Sequence, residues 1–109
     1  MIFQNKEEIA LGAWREAIGG AADIFRILWK QSKEQINTPF VCDNRILRTL
    51  TGKTRVTINT LFETLKDQRI ISVEYNNHAT NKRTIVLLRS FYEEDIISPF
   101  CKKWEIKFE

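Results

Sequence analysis

Histidine is nearly absent from this 109-residue chain, with His78 the one example, and cysteine occurs only at Cys42 and Cys101. A structural zinc site takes closely spaced cysteines and histidines, and a disulfide framework takes several cysteine pairs, so neither is available. Reduced, partly buried thiols are expected. No stretch approaches the ~20 apolar residues of a membrane span, and the start MIFQNKEEIALG lacks the basic region and apolar core of a signal peptide. A cytoplasmic location with no membrane partner is the expectation. Internal repeats, low-complexity tracts and Pro/Gly/Ser-rich linkers are also missing, which predicts a single domain over 1–109.

The usual signatures of catalysis are missing as well. There is no Gly-rich phosphate loop, no nucleophile with a plausible base, and no close set of acids beyond Glu93-Glu94-Asp95. That acidic run reads as the first turn of a helix, where negative charge favours the helix dipole. A non-enzyme without cofactor, metal or catalytic residue is expected, and His78 is expected at the surface.

What is present is a modest core and an uneven charge. Hydrophobic residues make up 43% of the chain, with three tryptophans, enough for a globular fold. From Arg45 to Arg89 there are nine basic residues against three acidic ones, a net of +6; the whole chain carries +3, so the remainder is −3. A basic centre between acidic ends suits a polyanion-binding surface.

Capping residues and apolar spacing divide the chain into elements. Asn5, with Glu8 in the capping-box position, starts a helix from Lys6 to Ile18 that carries Trp14, Ala17 and Ile18 and stops at Gly19-Gly20. A second helix is predicted from about Ala21 to Gln35, where Ala21, Ile24, Phe25 and Leu28 form the buried stripe. Asn37-Thr38-Pro39 forces an extended connection. Asp43 or a neighbour caps a short helix with Ile46, Leu47 and Leu50, which ends at Gly52. Thr54 caps the next, about Arg55 to Gln68, with Ile58, Leu61, Phe62 and Leu65 buried. These two form a helix-turn-helix. IISVEY and RTIVLL then alternate as a β-hairpin around the polar loop Asn76 to Arg83. For the tail, Ser90 with Glu93 and Ser98-Pro99 favour helix starts, although WEIKF alternates like a strand.

The stretch RILRTLTGKTRVTINTLFETLKDQRIISVEY resembles small bacterial, phage and plasmid winged helix-turn-helix proteins, including MarR-like regulators and the DNA-binding parts of plasmid replication or partition proteins. Leu50-Thr51-Gly52, Leu65 and Ile70-Ile71 carry the likeness, over roughly Ile24 to Leu88; Arg69 departs from it, since that position is often Gly in the family. The resemblance implies an α+β, mostly α fold: a winged helix-turn-helix with an added N-terminal helix and a C-terminal extension. It also implies sequence-specific double-stranded DNA binding in transcription regulation, replication or partition.

Four threonines in one helix region, Thr54, Thr57, Thr60 and Thr64, are costly in helical terms, because β-branched side chains lose rotamer freedom there. Thr57, Thr60 and Thr64 share one stripe, and threonine offers a base edge both a hydroxyl and a methyl group. Expected base contacts are Arg55, Thr57, Asn59, Thr60 and Thr64, with Asn59 able to pair with adenine; expected phosphate contacts are Arg45, Arg48, Lys53, Thr54, Lys82 and Arg83. Winged helices commonly pair on two-fold sites, and Trp14, Phe91, Tyr92, Phe100, Trp104 and Phe108 near the termini suggest a homodimer interface. The competing reading is a winged-helix protein adaptor in a nucleic-acid-processing or conjugation complex, its basic surface meeting an acidic protein.

Overall fold

The computed structural model describes residues 5–77 and 80–107, and these form five helices and one three-stranded antiparallel sheet, an α+β arrangement that is mostly helical. His78, at the expected loop, and Phe108 lie outside the described residues. Helix α1 spans Lys6–Ile18: Asn5 Oδ1 accepts from the Glu8 amide at 2.9 Å, and Gly19 ends the helix at φ 65°. Helix α2 spans Ala21–Gln31 and so stops short of the predicted Gln35. Lys33 and Glu34 both adopt left-handed backbone there, and the Glu34 amide returns to the Trp29 carbonyl at 3.0 Å. The apolar stripe has run out by then, so nothing holds a further turn.

The extended connection contains a strand that the sequence reading missed, β1 at Phe40–Asp43. Asp43 then caps α3, Asn44–Thr51, which closes on Gly52 in the left-handed region at φ 68°. A short turn leads to α4, Arg55–Asp67, with the Thr54 hydroxyl accepting from the Thr57 amide at 3.3 Å. Arg69 adopts the left-handed backbone conformation at φ 56°, and the Ile70 amide donates to the Leu65 carbonyl. Holding a residue other than glycine in that conformation costs about 1–2 kcal/mol of backbone strain.

Strands β2, Ile71–Asn77, and β3, Lys82–Leu87, form the hairpin; the loop is shorter than expected because both strands extend into it. Sheet order is β1-β3-β2, with Cys42 opposite Arg83 and Ile71 opposite Leu87. An irregularity between Val73 and Tyr75 pairs Tyr75 with Thr84 in the ladder; the face expected of the Tyr75 side chain lies outside what the structure describes. The tail is helix α5, Glu94–Trp104, and Pro99 lies inside it rather than opening a new helix. Before it, the Ser90 amide donates to Glu93 Oε2 at 3.1 Å, so that pair orders the turn leading in.

The aromatic residues of the two terminal regions are largely spent inside the protomer. Trp14, Phe25 and Phe91 are buried and meet edge to face, with ring centroids 5.0 and 5.6 Å apart. The Trp14 indole N–H donates to the Phe91 carbonyl at 2.7 Å, which ties α1 to the segment before α5. Phe100 is buried too, and Trp104, at 53% exposure, is the one described aromatic of that set with a largely open ring. Core packing of α1, α2 and α5 accounts for most of the rings expected at a homodimer interface.

Candidate nucleic-acid interface

Helix α4 turns Ile58, Phe62 and Leu65 into the core, fully buried. The opposite side carries Thr57 and Thr60, both exposed, with Thr64 half-buried behind them. Each threonine hydroxyl is anchored within its own helix region: Thr60 Oγ1 donates to the Val56 carbonyl at 3.1 Å, Thr64 Oγ1 to the Thr60 carbonyl at 3.3 Å, and Thr54 Oγ1 to Thr57 Oγ1 at 3.1 Å. For Thr60 and Thr64, bonding back to the preceding turn consumes the hydroxyl hydrogen and leaves lone pairs on the oxygen, whereas Thr57 accepts from Thr54 and keeps its own hydrogen. Val56, which the sequence reading passed over, is 75% exposed in the first turn of the same helix.

The cations fall into three situations. Arg55 is exposed at the first position of α4, Lys53 is half-buried in the turn before it, Arg48 is half-buried on α3, and Lys82 is exposed on the hairpin. Arg45 is exposed but engaged: its side chain reaches Asp43 at 2.9 and 3.2 Å. Hydrogen bonds from the Arg45 side chain and backbone, with desolvation opposing them, lower the Asp43 carboxyl from 3.8 to about 2.

Arg83 departs from expectation. It is 7% exposed, faces the core beside Ile85 and Leu87 in the β3 alternation, and stacks its guanidinium over the Phe62 ring at 4.2 Å from the centroid. One of its nitrogens donates to Asn59 Oδ1, while its Nε is buried without a partner. Burial is the main influence lowering its pKa, and the nearby Arg55 charge adds to it. Arg83 is thus an inward pillar under α4 rather than a phosphate contact at the hairpin tip, and Asn59 is held by it instead of standing free. The sequence carried this signal: Arg83 is in phase with Ile85 and Leu87 in RTIVL.

Opposite Arg83, Cys42 is fully buried and its thiol is pushed up to about 12, chiefly by burial; burial also raises Cys101. Two apolar residues of α3 face outward: Ile46 is 49% and Leu50 61% exposed, bordering a surface hollow with Arg45 and Thr49. Among the described residues, no group of three or more His, Cys, Asp and Glu side chains is placed to hold a metal ion. No helix among them is long and apolar enough to cross a membrane. No family model, no curated protein and no solved structure matches the chain.

Proposed function

We propose that the chain is a winged helix-turn-helix protein that binds double-stranded DNA sequence-specifically, with α4 as recognition helix and the β2–β3 hairpin as wing. The order α2, β1, α3, α4, β2, β3 and the three-stranded antiparallel sheet are consistent with that layout. α1 and α5 are then the additions at either end.

The observation that carries the reading is the amino end of α4. A helix start favours negative charge, and α1 and α5 comply, with Glu7 and Glu8 in one first turn and Glu94 and Asp95 in the other. α4 has no acid in its first turn and instead begins Lys53-Thr54-Arg55. This placement works against the stability of the helix, and a polyanion approaching that end supplies the missing negative charge. The amino-terminal half of α4 enters the major groove, where the lone pairs of Thr57 and Thr60 accept from base-edge amino groups and the methyl groups meet thymine. Val56 adds a further apolar contact. Lys82 and Arg48 hold phosphates, Lys53 joins them at the turn, and Arg45 shares its charge with Asp43.

A single domain of this kind buries little DNA surface, so a homodimer on a two-fold site belongs to the same reading. A second reading, a protein adaptor, is favoured by one observation, the exposed Ile46 and Leu50 beside Arg45. Selection of bound duplexes from a random pool at near-physiological salt separates the two. An enriched motif whose affinity falls steeply with added salt supports DNA recognition. Absence of any enrichment or duplex affinity refutes it in favour of the adaptor.

A further inference from the structure

Two arginines lie over aromatic rings, and they are partnered differently. Arg89 sits 5.4 Å from the Trp14 ring centroid and reaches the Asp95 carboxylate at 2.7 Å, with Glu93 at 3.7 Å. Arg83 sits over Phe62, more deeply buried, and its hydrogen-bond partner is an amide, Asn59. Glu63, the carboxylate that acts on Arg83 through space, is itself paired with Lys66 at 3.2 Å. The guanidinium has only donors, so the Asn59 atom that meets it is the oxygen, and the orientation of the amide follows from chemistry rather than from choice.

That orientation has a consequence for reading DNA, and the inference rests on the DNA-binding function proposed above. An asparagine reads adenine with both ends of its amide, Oδ1 accepting from N6 and Nδ2 donating to N7. Here Oδ1 already accepts from a buried cation, and a second donor converging on that oxygen is opposed by the same positive charge. Nδ2 keeps both hydrogens, and polarisation of the amide by the guanidinium strengthens them as donors. The geometry points to Arg83 as a positioning residue that makes Asn59 a donor-only reader, which selects guanine, with its N7 and O6 acceptors, over adenine at the base pair facing Asn59.

The test is selection from a random duplex pool with the wild type and four variants, followed by affinity measurement on the enriched site. The wild type is expected to prefer guanine at one base pair by about tenfold, and Asn59→Ala to lose that preference alone. Arg83→Met keeps an apolar stem over Phe62 but frees Oδ1, and is expected to move the preference to adenine. Arg83→Lys retains a donor and is expected to keep guanine. Asn59→Asp preserves the partner of Arg83 while replacing Nδ2 by an acceptor, and is expected to move the preference to cytosine, whose N4 donates. This last variant keeps the inference testable if Arg83→Met does not fold. An adenine preference in the wild type, a motif indifferent to Asn59→Ala, or a guanine preference that survives both Arg83→Met and Asn59→Asp overturns the inference while leaving DNA binding intact. Failure of the wild type to enrich any sequence overturns the DNA-binding reading, and this inference with it.

Discussion

The two sides of the molecule treat their cations differently. Around α1, α2 and α5, four basic side chains are matched with carboxylates, Arg15 with Asp23 at 2.7 Å, Lys30 with Glu7 at 2.9 Å, Lys103 with Glu16 at 3.3 Å and Arg89 with Asp95, while Arg26 and Lys102 have no such partner among the described residues. Around the turn before α4 and the hairpin, among the described residues, Arg48, Lys53, Arg55 and Lys82 have no carboxylate within ion-pair distance, and Arg83 is buried without one. Exposed ion pairs add little stability singly, so the contrast is not about how firmly each side is held. It separates charge that the fold neutralises from charge that the fold leaves available.

The contrast can be broken most severely at its buried member. Asn59→Leu removes the hydrogen-bonded acceptor of Arg83 and leaves a buried charged donor unmatched, which is expected to cost about 2–3 kcal/mol. Arg89→Met, on the matched and more exposed side, is expected to cost less than about 1 kcal/mol. Urea midpoints of the two variants compare them directly; equal losses would erase the distinction between the two arginines.

Next in size is the charge at the start of α4. Arg55→Glu agrees with the helix dipole and is expected to stabilise the fold by about 0.5 kcal/mol, yet to weaken duplex binding at least about tenfold. Glu94→Lys at the start of α5 is the mirror experiment, expected to lower stability by a similar ~0.5 kcal/mol and to leave duplex binding unchanged. Melting curves and binding isotherms on the four combinations of readout and variant would reveal any shared behaviour of the two helix starts.

The smallest effect belongs to the matched cation inside the unmatched region, Arg45 with Asp43. Because the folded carboxyl is depressed from 3.8 to about 2, its contribution is fully present above the unfolded value and fades as pH falls through the folded one. Asp43→Asn keeps a helix cap and removes the titration. The loss of stability on acidification between 3.8 and about 2 should therefore be shallower in the variant, and an unchanged slope in acid unfolding would show that the pair is inert.

Local chemistry was legible in the sequence where one residue decides one bond. Asn5, Gly19, Gly52 and Thr54 end or begin their helices where capping rules put them. Strand β1 was not legible, because four residues hold barely two alternations and its pairing with β3 is made across the chain. On α3 the buried positions are Asn44 and Leu47 while Ile46 and Leu50 stay exposed, which spacing alone does not decide, since so short a helix presents only a narrow strip to its neighbours. At the candidate site the threonine stripe was legible as a periodicity. The Arg83–Asn59 pair was not, because a charged residue ordinarily stays in water and only its partner on α4, remote in sequence, lets it take the inward position that strand parity gives it.

The sheet order β1-β3-β2 also governs how the molecule comes into being. The central strand is the last of the three to leave the ribosome, so β1, α3 and α4 are synthesised before the strand that unites the sheet exists. When Phe40 finally meets Ile85, the pairing closes a loop that encloses the whole of α4. Such non-local closure is slow and cooperative, and the helix proposed to touch DNA is therefore no portable segment: grafted elsewhere with only its hairpin, it would leave β3 without one of its two neighbours.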